Sequence, residues 1–426
     1  MAVTVLFGVF ALLLLIGVPV AFALAASSLA TVAYLGLPTL VFVQQTAAGA
    51  GVTTLIAIPL FIFAGEMMMR GGISERLIAL ASSLAGRLRG GLGQINVLSS
   101  LFFGGVSGSA IADVSAIGGT MIPQMIQRGF DRDYAVSVTV SAAIVALLVP
   151  PSHNLILYSA SAGGGISIAD LFAAGIVPAL LLTVVLMITG AIMARRRNYA
   201  MEAFPGFRAV LSRFIAALPG LLLVGVIFGG IRAGVFTAVE SAAIAVVYAV
   251  LVTAVLYRKL TVENFIAACA GAVKTTGLIL FVIGAAASFG WLLAYLEVPA
   301  AAVELLTGMA DDKNTVLLLM ILMLLVLGTF MDLAPLIIIC TPIFLPVAKA
   351  IGVNPVHFGV ILILKGGLGL ITPPIGSVLF VGAAIGKISI GEVLRTIWPF
   401  YLAVLVVLMV VAFVPELSLW LPSVLK

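Results

Sequence analysis

Stretches of about twenty apolar residues follow one another along almost the whole chain, separated only by glycines, prolines and short charged segments. Twenty residues of α-helix cover about 30 Å, the thickness of the hydrocarbon core of a bilayer. A water-facing domain carries roughly 25% charged residues, whereas this chain has 9% and is 63% hydrophobic. Such a chain is solvated by lipid, and its 426 residues leave room for roughly ten to fourteen spans. No stretch is long and polar enough to form a soluble catalytic domain. The composition implies an all-α polytopic membrane protein, with no basis for nucleic-acid binding.

Little else in the sequence suggests covalent chemistry. Cys269 and Cys340 lie in apolar surroundings without a paired spacing, and the two histidines, His153 and His357, are far apart. No HExxH or GxSxG motif is present, so an intramembrane enzyme is disfavoured. The N-terminus is apolar from Val3 onward and lacks a basic leader, so it reads as a first span and not as a cleaved signal.

The runs predict spans near 3–24, 26–45 and 51–70, then a basic amphipathic stretch (Arg76, Arg87, Arg89) suited to lying in the interface. An interrupted, Gly-rich segment follows at 91–127, a broken run at 134–165 and a span at 168–194. After a polar linker at 198–212 the same order returns. Spans lie near 213–231, 236–257 and 276–296, followed by a short stretch at 298–310. An interrupted segment at 314–350, a broken run at 355–385 and a last span at 396–420 complete the chain. Residues match across the two halves. Pro150-Pro151 pairs with Pro373-Pro374, Pro123 with Pro346 and Gly129 with Gly352, all at an offset of 223, and Ile166–Asp170 pairs with Ile388–Glu392 one residue closer. Five spans per half is an odd number, so the halves, 1–197 and 213–426, are expected to cross the membrane in opposite directions. Inverted repeats of this kind mark secondary transporters, and two broken helices favour alternating access over a channel.

Charge gives an independent test of topology. With the N-terminus outside, sixteen lysines and arginines, from Arg70 to Arg395, fall on the cytoplasmic side. Four (Arg232, Lys313, Lys349 and Lys426) fall opposite, and Lys365 lies inside a span. This positive-inside bias places both termini outside. The interrupted segments, 91–127 and 314–350, then read as re-entrant hairpins entering from opposite faces.

A hairpin tip exposes backbone groups that are tolerable at membrane depth only against protein or a water-filled cavity. Proline pairs have the same effect, because a proline has no N–H to donate and leaves carbonyls free. Free carbonyls and hydroxyls suit a small cation, and helix N-termini suit a carboxylate. Two clusters fall at such places. One comprises Ser107, Gly108, Ser109 and Asp113 with Pro150, Ser152, His153 and Asn154. The other comprises Thr329, Asp332, Pro335 and Thr341 with Thr372, Pro373, Pro374, Gly376 and Ser377. Close helix packing is the competing reading for any single small residue. Glu66 and Glu240 lie in spans away from both tips and suit ion binding or a helix-to-helix hydrogen bond equally. His153 could bind substrate, carry a proton or hold the broken helix. Lys365 lies about two turns before Thr372. It could attract an anion, occupy the place of a cation, or pair with Asp332 or free carbonyls.

The runs SGSAIADVSAIGG (107–119), PPSHNLILYSASAGG (150–164), GVFTAVESAA (234–243) and GLITPPIGSVLFVG (369–382) resemble the large, DctM-type membrane subunit of tripartite ATP-independent periplasmic (TRAP) transporters. The resemblance covers essentially the whole chain. It implies an elevator-type, sodium-driven carrier in the bacterial inner membrane. The carrier would import organic acids such as C4-dicarboxylates or sialic acid together with a small four-helix membrane subunit and a soluble periplasmic substrate-binding protein. It places substrate and sodium at the Ser107–Ser109 tip with the Pro150–Asn154 break, and at Thr329–Thr341 with the Thr372–Ser377 break. The family usually has asparagine where Lys365 stands, so the lysine is expected either to replace the second sodium or to act as a substrate counter-charge. An autonomous anion–cation symporter, needing no binding protein, is the alternative.

Overall fold

The computed structural model describes residues 1–199, 201, 205–310 and 312–425, and every regular element among them is helical. Among the described residues, seven helices are long and apolar enough to cross a bilayer, or nine if two bent pairs each count as one span. The protein is a multi-pass membrane protein. Its longest helix, Val262–Tyr295, has 34 residues, about 51 Å at 1.5 Å per residue. Lys426 and part of the expected 198–212 linker lie outside the described residues.

The N-terminal runs differ from expectation. The stretches expected as spans 3–24 and 26–45 form three shorter helices, Ala2–Leu15, Val20–Tyr34 and Leu40–Ala50. The breaks are local: Gly17 and Gly36 take left-handed backbone, with φ of +87° and +68°. In each case a proline follows two residues later, Pro19 or Pro38, which stops the preceding helix. The basic amphipathic stretch folds as a helix packed on its neighbours. Helix Ile73–Ala85 buries Ile73, Leu77, Leu80 and Ala81, and it packs on helices Gly91–Ser107 and Phe207–Arg232. Its polar face is held by Arg76, whose guanidinium lies 3.6 Å from the centre of the Tyr257 ring, and by the Lys259–Glu75 ion pair at 3.1 Å.

Both interrupted segments fold as helix pairs. Gly91–Ser107 is followed by Ala110–Asp113, a π turn and Gly119–Gln127. Lys313–Phe330 is followed by Leu333–Ala350. Both broken runs break at their proline pairs, between Val145–Leu147 and His153–Ser161 and between Pro355–Leu370 and Ser377–Gly386. The peptide bond joining each pair of prolines is cis.

These elements interlock crosswise. Ser377–Gly386, beyond the second break, packs on Arg132–Ala142, before the first. His153–Ser161, beyond the first break, packs on Leu333–Ala350 of the second helix pair. A second group of helices, Ala2–Leu15, Val20–Tyr34, Leu40–Ala50, Ala57–Arg70, Ala238–Leu251 and Val262–Tyr295, makes most of its contacts within itself. The fold thus has two packed groups with the hairpin tips between them.

A polar clamp joins residues from both halves of the chain. Arg197 makes two bonds to Asp133, of 2.8 and 2.9 Å, and a third of 2.9 Å to Asp131. Thr396 Oγ1 also donates to Asp133, at 2.5 Å. The residues come from helices Arg132–Ala142 and Ile390–Thr396 and from the end of Ile168–Arg196, so the clamp joins elements distant in sequence. Burial pushes the Asp133 carboxyl up, but hydrogen bonds from Arg197, Thr396 and the Tyr134 N–H outweigh it and hold its pKa at about 2. The folded value lies below the ordinary carboxylate value, so the stabilisation is complete above about pH 4. It is lost as pH falls through about 2. Replacing Asp133 with Asn should cost about 1–2 kcal/mol at pH 7, after discounting for solvent screening. Thermal unfolding of the purified protein checks this, and the gap between variant and parent should narrow as pH drops below 4.

Candidate functional site

The first hairpin turns at Gly108, whose φ of +58° suits glycine. Beyond it Ser109 caps the second arm, its Oγ accepting from the Ala112 N–H at 3.4 Å. The turn is pressed onto the first break: a Cβ on Gly108 would come within 2.7 Å of the Pro151 carbonyl oxygen and 3.2 Å of Ser152 Cα. Asn154, in the first turn after the break, donates Nδ2 to the Gly108 carbonyl at 3.1 Å. Inside the break, the Leu147 carbonyl would be bonded in a continuous helix by residue 151, a proline without an N–H. The Ser152 hydroxyl takes that place, donating to the Leu147 oxygen at 2.6 Å.

The second hairpin is tied in the same manner. Asp332 opens the second arm, Oδ1 accepting from the Leu333 N–H at 2.9 Å and from Ser377 Oγ at 3.2 Å. Ser377 begins the helix after the second break. Asn154 and Ser377 are 223 residues apart, as are Ser109 and Asp332, so the two ties use residues at the same offset.

A cavity of about 440 Å³ lies where these parts meet. Ser107, Ser109, His153, Asn154 and Asp332 line it, together with Glu66 and Thr275 of the second helix group. His153 and Asn154 open helix His153–Ser161, so this helix presents its N-terminus to the cavity. The lining therefore combines hydroxyls, an amide, carboxylates and a helix N-terminus. These are oxygen ligands for a small hard cation, and N–H groups with partial positive charge for an anion.

Other candidates stand outside the cavity lining. Gly108, Pro150 and Ser152 are buried in the tip–break contact, and Pro335 is buried in the second arm. Asp113 is fully buried behind the first tip, where Oδ2 accepts from Ser100 Oγ at 2.7 Å and joins the two arms. Among the described residues, its Oδ1 has no hydrogen-bond partner. Thr329 and Thr341 each donate to a carbonyl of their own helix, Val326 and Ile337. Thr372 donates to the Leu368 carbonyl at 2.7 Å and lies 3.4 Å from the Tyr401 hydroxyl. Pro373 and Pro374 are exposed, whereas Gly376 is buried. Lys365 is buried away from the cavity, and neither Asp332 nor a backbone carbonyl is its hydrogen-bond partner.

Two residues differ from expectation. Glu66 faces the tips instead of lying away from them, because Ala57–Arg70 packs beside the first hairpin, and it pairs with Arg70 at 3.5 Å. Glu240 reaches no other helix: it forms a capping box with Thr237 at the start of Ala238–Leu251. Two features carry no sequence signal. Thr275 sits within an uninterrupted helix, and a buried polar seam (Asn96, Ser99, Ser100, Ser137, Thr139 and Ser141) lies on two apolar helices. No cluster of three or more His, Cys, Asp or Glu residues suited to a metal occurs among the described residues.

Residues 7–417 match the family described as "Tripartite ATP-independent periplasmic transporter, DctM component". The chain belongs to this family. It is 42% identical over 425 residues to the Salmonella typhimurium protein YgiK, described as uncharacterized, covering 99% of this chain and 97% of that one. It is 34% identical to the 2,3-diketo-L-gulonate TRAP transporter large permease protein YiaN of Escherichia coli, covering 94% of each chain. It is 35% identical to the sialic acid TRAP transporter large permease protein SiaM of Vibrio cholerae, covering 96% of each. Among solved structures, the Alcanivorax borkumensis YdaH transporter shares the fold, with a TM-score of 0.62, 16% identity and coverage of 90% and 88%. DctM-family membership makes the chain a TRAP transporter large permease subunit.

The tip–break contact yields a direct test in this permease. Gly108→Ala must lift the tip off Pro151 and should lower transport at least tenfold, a change of about 1.4 kcal/mol or more in the coupled step. Gly129→Ala is the control: its φ is +84°, but nothing lies within 4 Å of an added Cβ. It should cost only about 1 kcal/mol of stability and leave transport intact. Uptake assays with thermal unfolding separate the two effects.

Proposed function

We propose that this permease is the translocation subunit of a secondary-active, binding-protein-dependent importer of organic acids, driven by sodium and working by an elevator motion. The single observation that carries the reading is the cavity lining, which joins both tips and the first break to Glu66 and Thr275 of the second helix group. A site between two separately packed helix groups changes its access when one group slides past the other. In this reading the hairpins and broken helices move and the second group stays fixed. The halves 1–197 and 213–426 are inverted repeats joined by the 198–212 linker, and the equal offset of the Asn154 and Ser377 ties supports that assignment.

Substrate binds in the cavity against Ser107 and Ser109 of the first tip and His153 and Asn154 after the first break. Its carboxylate is met by the N-terminus of His153–Ser161. Sodium binds among hydroxyl, carboxylate and free carbonyl oxygens at the tip–break contacts. Diketogulonate and sialic acid, named for the relatives, are both carboxylates. The chain works in the bacterial inner membrane with both termini periplasmic. Its partners are a small four-helix membrane subunit and a periplasmic substrate-binding protein.

The test is gentle purification of the chain from native membranes, mass spectrometry of what stays bound, and reconstitution in liposomes. A small membrane protein and a soluble binding protein should co-purify, and the acid carried by the latter should be taken up only with that protein present. Replacing the sodium gradient with potassium should cut uptake at least tenfold, about 1.4 kcal/mol of lost driving interaction. Uptake by the chain alone, without a binding protein, would make it an autonomous symporter.

A further inference from the structure

The cavity lining carries two carboxylates, Glu66 and Asp332, and among the described residues no lysine or arginine belongs to it. Whatever attracts an anion there must be backbone. The N-termini of three helical stretches reach the lining: Ala110–Asp113, His153–Ser161 and Leu333–Ala350. Two of them are already answered by the chain itself. Ser109 Oγ accepts from the Ala112 N–H, and Asp332 Oδ1 accepts from the Leu333 N–H. His153–Ser161 has no side-chain cap, because Ser152, at the capping position, donates to the Leu147 carbonyl instead. One N-terminus of the three is therefore left for a carboxylate from outside.

Glu66 supplies the opposite kind of group. Arg70, one turn along the same helix, approaches its Oε2 to 3.5 Å. The charge of Glu66 is thus met without a second cation, while Oε1 remains to accept from a neutral donor. The carboxylate lies against Gly271 of Val262–Tyr295, where an added Cβ would stand 3.0 Å from its carbon and 3.1 and 3.2 Å from its oxygens. Gly271 and Thr275 are four residues apart and share one face of that helix. The Glu66 carboxylate and the Thr275 hydroxyl are therefore neighbours in the lining. A second carboxylate on the substrate would find no lysine or arginine of the lining to pair with, and an unpaired charge at membrane depth is costly. A hydroxyl would find acceptors in Glu66, Thr275 and the tip serines. We propose that Glu66 is a specificity-determining residue, accepting from hydroxyl groups of a substrate with a single carboxylate and disfavouring dicarboxylates. The substrate class is a polyhydroxylated monocarboxylic acid. This deepens the organic-acid reading of the same cavity and rests on it.

Gluconate, one carboxylate on a chain of hydroxyls, and malate, with two carboxylates, are the probes. Equilibrium binding of each radiolabelled acid is measured on the full-length permease in nanodiscs with sodium present. The parent should bind gluconate at least about tenfold more tightly than malate. Glu66→Gln keeps the size of the side chain and removes its charge, and it should bring the two affinities to within about threefold, chiefly by tightening malate. A merely structural role would weaken both acids together and leave their ratio unchanged. Gly271→Ala presses on the same carboxylate from the neighbouring helix and should weaken gluconate about threefold without weakening malate, which keeps the test open if Glu66→Gln does not fold. Malate bound as tightly as gluconate by the parent, or a ratio that neither variant moves, would overturn the inference and leave the organic-acid reading standing. Binding of neither acid would instead overturn that reading.

Discussion

Everything distinctive about this molecule follows from one constraint: peptide groups in hydrocarbon must find their partners inside the protein. A continuous helix meets that condition automatically, whereas a chain that stops and turns at membrane depth does not. The two proline pairs and the two hairpin turns are such stops, and each is pressed against the other of its own half. Ser152 replaces the donor that Pro151 lacks, Asn154 covers the carbonyl of Gly108, and Ser377 covers Asp332. The cavity is what remains when the interruptions satisfy one another and both tips and the first break still leave polar groups facing a shared space.

The glycines at and beside the interruptions are as necessary as the hydrogen bonds. Gly108 and Gly328 both sit where a methyl group would strike a neighbour, the Pro151 carbonyl in one case and the Lys365 ammonium in the other. Such close approach brings backbone dipoles to bear on whatever occupies the space beside them. In a medium of low dielectric these dipoles act strongly, because no water reorients to screen them. Small residues at the interruptions therefore serve electrostatics as much as packing.

Much of this was legible in the chain itself. Paired prolines inside apolar runs, a Gly-Ser cluster between two such runs, and a constant offset linking them located both hairpins and both breaks, since each signal is local backbone chemistry. The tip residues Ser107, Ser109 and Asp332 and the post-break residues His153 and Asn154 share one cavity. What escaped was set by packing between distant helices. Glu66 and Thr275 reach the cavity only because Ala57–Arg70 and Val262–Tyr295 lie alongside each other against the tips, and nothing in their own neighbourhoods signals this. The first two apolar runs form three helices, a division that hydropathy does not show because it does not distinguish one long apolar helix from two short ones. Gly17 and Pro19 do, once they are read as a helix stop.

Helix Val262–Tyr295 is some 20 Å longer than a bilayer's hydrocarbon core is thick, given about 51 Å of helix and about 30 Å of core. Tilting within the usual range, up to about 40°, does not absorb the difference. Part of it must stand above the acyl chains, where Val262 and Ile266 are exposed, or the surrounding lipids must stretch to meet it. Either way the helix acts as a gauge of membrane thickness. Thr275 stands partway along it, facing the cavity, so the depth at which lipid holds this one helix also sets the depth of one wall of the site.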